Sequence, residues 1–185
     1  MTQLYYTTFP SVFDKFTIVW KENDSNKQLI QRIFLSDNRT TETKTSELFG
    51  EITLESSSTI NSLGDKIQRF LRGEEITFNL SFLDFSICYP TQKKVLLAEY
   101  AIPRGWVSTY KRIAEQIDIT NGARVVGNSL AKNPFPIFIP CHRAIRTNGE
   151  LGGYQGGLTM KKKLLELEGV SISDNAKVLT DKIFY

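Results

Sequence analysis

Two periodicities divide the chain. Residues 3 to 8, 16 to 21 and 29 to 35 are rich in β-branched and aromatic side chains, a composition that predicts strands. The polar run Glu22-Asn23-Asp24-Ser25-Asn26 between the second and third predicts a hairpin turn. Residues 36 to 50 are polar and predict a loop. From Ser57 to Arg72 the spacing becomes helical: Ile60, Leu63, Ile67, Phe70 and Leu71 share a face, and Gly73 follows as a stop. Ile76 to Leu80 predict one more strand.

Beyond Tyr89-Pro90 helices dominate. Lys93 to Ala101 predict one, closed by Ile102-Pro103-Arg104-Gly105. A short helix starts near Ser108-Thr109, both good N-caps, with Ile113 and Ile117 on one face. After the turn Asp118 to Gly122, a second runs from Gly122 or Ala123 to Lys132. Ala123, Val126 and Leu130 face a core there, Arg124 and Asn128 point elsewhere, and Gly127 would let the two helices approach closely. Such a pair fits a helix-turn-helix, a motif also common outside DNA binding. A last helix, capped by Thr159, carries Met160, Leu164, Leu165 and Leu167 and ends at Glu168-Gly169. The expected organisation is α+β: a structural domain over 1–88, a mostly helical domain over 89–170, and a tail over 171–185 with no evident chemistry.

Charge sharpens that division. The net +3 conceals −3 over residues 1 to 88 and +6 over residues 89 to 185. A basic half suggests a polyanionic partner such as nucleic acid. The plainer reading is that lysines such as Lys161, Lys162 and Lys163 solvate a helix face. No apolar run approaches the length of a membrane span, and Met1-Thr2-Gln3-Leu4-Tyr5 lacks the features of a signal peptide. The two cysteines, Cys88 and Cys141, are far apart in sequence and fit a reducing compartment, with the cytoplasm, or the nucleus in a eukaryote, as the expected location. One histidine and two cysteines make a closed zinc site improbable.

The chemistry concentrates in Asn133-Pro134-Phe135-Pro136-Ile137-Phe138-Ile139-Pro140-Cys141-His142-Arg143. Three prolines are expected to hold this stretch extended and helix-free. Ile137 to Ile139 enter a core, and Pro140 delivers a cysteine beside the chain's one histidine. A thiol next to a base is the minimal arrangement for sulfur nucleophile chemistry, and a carboxylate such as Glu168 can orient the histidine. Taken singly, Cys141 could be a buried small hydrophobe and His142 a structural histidine. Gly149-Glu150-Leu151-Gly152-Gly153-Tyr154-Gln155-Gly156-Gly157 follows, a linker or, given Tyr154, a pocket wall.

Taken together, these residues resemble the O6-alkylguanine-DNA alkyltransferase family, also called methylated-DNA-protein-cysteine methyltransferases. The resemblance rests on Ile139-Pro140-Cys141-His142-Arg143, on Arg124-Val125-Val126-Gly127, and on Asn133-Pro134 with Pro136. It continues through Gly153-Tyr154, Gly156-Gly157-Leu158, Leu164-Leu165 and Glu168-Gly169, covering roughly residues 92 to 170. It implies an N-terminal RNase H-like domain and a C-terminal winged helix-turn-helix-like catalytic domain. It also implies a protein that flips O6-alkylguanine, with O4-alkylthymine as a second candidate, out of double-stranded DNA. The alkyl group would pass irreversibly to Cys141, without cofactor or metal, and the chain is expected to act as a monomer.

The resemblance also implies individual roles. His142 activates Cys141 through a water, and Glu168 orients His142. Asn133 ties the recognition helix to the active-site turn. Tyr110 crowds the target phosphate and assists the leaving guanine. Arg124 fills the space of the extruded base, on a DNA-binding helix that includes Ala123 and Gly127. Tyr154 forms the wall on which the base stacks, Pro136 lines the pocket, and the backbone around Ala144 and Gln155 hydrogen-bonds the base. Ala144 and Gln155 depart from the usual family residues and are expected to alter pocket size. Rival readings are a lesion-binding module without transfer, a Cys-His hydrolase or redox protein, and a helix-turn-helix regulator.

Overall fold

In the computed structural model, residues 3–37 and 39–185 are described. Met1 and Thr2, from the segment read for a signal peptide, and Asn38, from the stretch expected as loop, lie outside the described residues. The chain divides into two units: residues 1–87 with 134–138, and residues 88–133 with 139–185.

The first unit is built on β1 (Tyr5–Ser11), β2 (Asp14–Glu22) and β3 (Gln28–Leu35), an antiparallel meander to which the short β4 (Thr53–Leu54) adds in parallel, giving the order β3-β2-β1-β4. β2 is the central strand, and five successive residues from Phe16 to Trp20 are buried, the pattern of a strand covered on both faces. Helix α2 (Ser58–Leu71) packs on β1 through Ile60, Leu63, Ile67, Phe70 and Leu71. Its N-cap is Ser57, whose hydroxyl accepts from the Ile60 N–H at 3.1 Å. Residues 134–138 join this core: Phe138 packs on Phe78 at 4.4 Å between ring centroids, and Phe135 on Phe85 at 5.4 Å.

Three expectations for this unit are corrected. The stretch 36–50 contains helix α1 (Thr41–Phe49), capped by the Thr40 hydroxyl. The face it buries is Thr41, Lys44 and Thr45, so no apolar period announces it; Lys44 is satisfied by the Leu35 carbonyl at 2.7 Å and by Asp37 at 2.9 Å. Ile76 to Leu80 form no strand, and the chain instead reaches a 3₁₀ turn at Leu80–Phe82. The proline-rich stretch is neither helix-free nor extended throughout: Cys141–Arg143 form a 3₁₀ turn, and Ile137 has φ +77° and the chain turns there. A β-branched residue rarely adopts that conformation, and the burial of Phe135, Phe138 and Ile139 around it overrides the local preference.

The second unit holds α3 (Pro90–Tyr100), α4 (Tyr110–Gln116), α5 (Ala123–Ala131) and α6 (Gly157–Leu167). α3 begins earlier than its apolar spacing suggests because Pro90 occupies a first-turn position, where its missing N–H costs nothing. Thr109 caps α4 by accepting from the Arg112 N–H at 3.2 Å. α6 starts before Thr159, which sits inside its first turn; Gly156 takes the cap position. Two short strands, β5 (Ser108–Thr109) and β6 (Ala144–Ile145), pair in parallel. The tail forms the hairpin β7 (Ser171–Ile172) and β8 (Val178–Leu179) and counts with this unit. Its last residues are tied down, with Phe184 N–H donating to the Val107 carbonyl at 2.8 Å and the Tyr185 hydroxyl to the Ala98 carbonyl at 2.8 Å. Val107, Ile145, Leu151, Leu165 and Val170 form a core against which Ile172, Val178 and Ile183 pack. No helix among the described residues is long and apolar enough to cross a membrane.

Candidate active site and nucleic-acid interface

The site is assembled around a 3₁₀ turn, Cys141–Arg143, between Pro140 and β6. A tight hydrogen bond from the Cys141 N–H to the Ile139 carbonyl, 2.8 Å, and another from Arg143 N–H to the Pro140 carbonyl, 2.8 Å, fix the turn. It sends His142 and Arg143 into the interior, while Cys141 lines a cavity of about 330 Å³. The other walls include Tyr110 and Gly127 from α4 and α5, Arg146, and Gly152 to Gln155 from the glycine-rich loop.

Next along the turn, His142 and Arg143 share one buried carboxylate, that of Glu168. His142 Nε2 meets Glu168 Oε1 at 2.9 Å. Arg143 grips the same carboxylate with two donors, Nε to Oε2 at 2.9 Å and Nη2 to Oε1 at 2.8 Å, and its Nη1 reaches the Ile102 carbonyl at 2.6 Å. Burial works to raise the Glu168 carboxyl, but His142 and Arg143 prevail and hold it well below the usual carboxylate range. Burial lowers His142, against the pull of Glu168, so near neutrality the imidazole is uncharged and can accept a proton. The Cys141 thiol is pushed up to about 12 by burial, against a hydrogen bond from Asn133 and the charge of Lys161, with Glu99 adding to the rise. The resting thiol therefore keeps its proton, and attack requires its removal.

Asn133 follows α5 and is wholly buried, donating to the Ile139 carbonyl at 3.3 Å and hydrogen-bonding the thiol, so it links that helix to the turn. Tyr110 opens α4, and burial raises its phenol to about 12, keeping it a donor. Its hydroxyl lies where only a glycine fits: a Cβ on Gly152 would sit 2.5 Å from it, and Gly152 has φ +69°. The Tyr154 ring stands edge-on to His142, 6.3 Å between centroids. On α5, Arg124 and Asn128 are exposed, Val126 and Leu130 are buried, and Ala123 is half-buried.

Several expected roles shift. Gly127 does not mediate helix approach, since a Cβ there would meet nothing within 4 Å; it faces the cavity instead. Ala144 is buried in β6 beside Ser108, and its carbonyl accepts from Lys161 Nζ at 2.7 Å, so neither its side chain nor its carbonyl opens on the cavity. Gln155 does line the cavity, but its amide donates to the Asn133 backbone carbonyl at 2.7 Å and braces the end of α5. Pro136 is buried within the 134–138 segment of the first unit and is not among the cavity walls. Lys161 is no solvating lysine: it is fully buried beneath the glycine-rich loop, also reaching the Gly153 carbonyl at 3.3 Å.

Sequence reasoning assigned no role to Arg143, Arg146 or Glu99. Arg143 was visible only as the last letter of a motif. Arg146 lines the cavity and pairs with Glu150 at 2.7 Å. Glu99 sits in α3 with no outward signal at all.

Residues 90–170 match the family model described as 6-O-methylguanine DNA methyltransferase, DNA binding domain. A methylated-DNA-protein-cysteine methyltransferase of Methanothermobacter thermautotrophicus is 48% identical over 113 residues, which are 61% of this chain and 63% of that protein, so less than two thirds of its length is spanned. One from Sulfolobus acidocaldarius is 40% identical over 122 residues, covering 66% of this chain and 76% of that protein. The mixed α/β fold matches the crystal structure of Mycobacterium tuberculosis OGT in complex with DNA, with a TM-score of 0.70, 29% identity and coverage of 89% of this chain and 92% of that one.

Proposed function

The chain belongs to the methylated-DNA-protein-cysteine methyltransferase family, and from that premise we propose that it removes the alkyl group from O6-alkylguanine in duplex DNA by transferring it, once and irreversibly, to Cys141. The observation that carries this reading is a buried thiol that lines a cavity of about 330 Å³ and shares its 3₁₀ turn with the histidine of a His142-Glu168 pair. That volume is at the lower end of pockets that take small organic ligands, about 300 Å³.

In this reading the thiol proton passes to the neutral His142 through Nδ1, because Nε2 is committed to Glu168. Glu168, anchored by Arg143, stabilises the imidazolium. The thiolate attacks the alkyl carbon, a C–S bond forms, and the C–O bond breaks with its electron pair remaining on O6. Tyr110 donates a hydrogen bond to the departing base, and the proton held by His142 returns to guanine through solvent. The thioether is uncharged and has no route back, so turnover stops at one. Reaching the base requires flipping it from the stack at a cost of a few kcal/mol. Arg124, exposed on α5, is suited to occupy the vacated space, and the basic second half supplies sequence-independent phosphate affinity. The four-strand order of the first unit supports an RNase H-like description, and α4, α5 and the β5–β6 pair support a winged helix-turn-helix.

The test is stoichiometry. Mixed with a tenfold excess of duplex carrying one O6-methylguanine, the protein is expected to restore one equivalent of guanine and stop. Continued turnover, or tight lesion binding without restored guanine, would contradict the proposal.

A further inference from the structure

α3 packs against the turn that carries Cys141, and it brings Glu99 into the interior there. The side chain is wholly inaccessible, and neither carboxyl oxygen has a hydrogen-bond partner. Buried polar groups are ordinarily satisfied, so an orphan carboxyl on the helix that packs against the nucleophile's turn calls for a physical reason. The titratable and charged groups that interact electrostatically with it are Lys161 from α6, Arg143 and Cys141 from the turn, Tyr110 from α4, and Tyr185 from the C-terminal segment. The Ala144 N–H is near enough to favour the anion without forming a well-shaped hydrogen bond. Arg143 is already neutralised by its double contact with Glu168. Lys161 is not: it donates to the carbonyls of Ala144 and Gly153 rather than to a carboxylate.

We propose that Glu99 is a positioning residue for charge at the nucleophile: as a neutral acid it leaves the Lys161 cation unbalanced toward the Cys141 sulfur, and once ionised it opposes the thiolate. The inference rests on the reading of Cys141 as the alkyl acceptor. Burial supports it by raising the Glu99 carboxyl to about 8 and lowering Lys161 to about 8. The sign follows. Below that pH the surroundings of the sulfur gain a positive charge from Lys161 and none from Glu99. Above it, Glu99 releases its proton to solvent and becomes negative while Lys161 loses its charge, and both changes disfavour the thiolate.

The test compares the full chain with Glu99→Gln, which keeps the shape and cannot ionise. Two rates are followed at about pH 6.5 and about pH 9. One is alkylation of Cys141 by iodoacetamide, read by peptide mass spectrometry; the thiolate displaces iodide and the thiol proton goes to solvent, with no DNA involved. The other is methyl transfer from an O6-methylguanine duplex. The expected result is agreement within about two-fold at the lower pH and a rate at least about three-fold higher for Glu99→Gln at the higher pH, since only the wild type acquires the opposing charge. A variant-to-wild-type ratio that stays constant across pH would overturn the assignment, because a structural role alone shifts both pH values alike. Glu99→Leu, also neutral, is expected to reproduce the divergence and serves if the glutamine variant folds poorly. Divergence with iodoacetamide but no methyl transfer by either protein would support the role of Glu99 and sink the alkyltransferase reading. Methyl transfer with a constant ratio would do the reverse.

Discussion

Asp84 and Glu99 are both buried carboxyls, one in each unit, and they are treated in opposite ways. Asp84 in the first unit receives Lys21 at 2.6 Å, the Ser86 N–H and hydroxyl, and Gln31. Burial would raise it, but these donors win and hold it down at about 2. Glu99 in the second unit receives no hydrogen bond and rises to about 8. The same contrast extends outward. In the first unit Lys44 likewise closes a structural gap on the Leu35 carbonyl. In the second, Cys141, His142, Glu168, Lys161 and Glu99 have protonation equilibria moved in different directions. A satisfied buried charge marks scaffold; a cluster of displaced ones marks chemistry.

The sharpest break in that comparison is Cys141→Ser, which is expected to abolish methyl transfer while leaving duplex binding within about two-fold, as measured by restored guanine and by anisotropy. Loss of binding in a folded protein would mean the two functions are not separable. Next comes Glu168→Gln. Transfer should slow by about 10²- to 10⁴-fold, the worth of general base catalysis, and stability should fall by about 3–5 kcal/mol because Arg143 loses its buried counter-charge. A normal transfer rate would remove the His142-Glu168 pair from the mechanism.

Asp84→Asn probes the other side. It should cost about 1–3 kcal/mol of stability at neutral pH and leave the transfer rate unchanged. Its pH signature is specific: with a folded value of about 2 against the ordinary 3.8, Asp84 contributes stability above about pH 4 that is lost as pH falls toward 2. The variant should therefore show a shallower acid limb in Tm. Glu99 has the opposite sign, since its folded value lies above the ordinary 4.5, so its burial destabilises increasingly as pH rises from about 4.5 to about 8. Smallest is Arg124→Ala, expected to weaken binding to a lesion duplex by about 1 kcal/mol more than binding to undamaged duplex. Equal losses on the two would make Arg124 a general phosphate contact.

The parts legible in the sequence are those where apolar spacing or a motif speaks for itself. β2, α2 and the α4–α5 pair follow their periodicities closely, and Asn133, Cys141, His142 and Glu168 were named from motif and chemistry. What stayed hidden has a common cause. α1 buries Thr41, Lys44 and Thr45, and α6 buries Lys161, so a polar letter in the sequence stood at an interior position. Glu99 lies on α3 between Ala98 and Tyr100, and nothing in its neighbours distinguishes it from a solvated helix glutamate. Only tertiary packing, which overrides propensity, turns it inward. Ala144 shows the converse error: expected as a pocket determinant, it is buried in β6 with its carbonyl taken by Lys161, whereas Gln155 does line the cavity while its amide braces Asn133.

The central claim is that Cys141 accepts the alkyl group. The direct measurement is intact and peptide mass spectrometry of the protein after one exposure to a duplex containing a single O6-methylguanine. The account predicts one added methyl per molecule, carried on the peptide that contains Cys141, matched by one restored guanine. An unchanged mass on a lesion that is bound, or a methyl on Cys88 in place of Cys141, would contradict it.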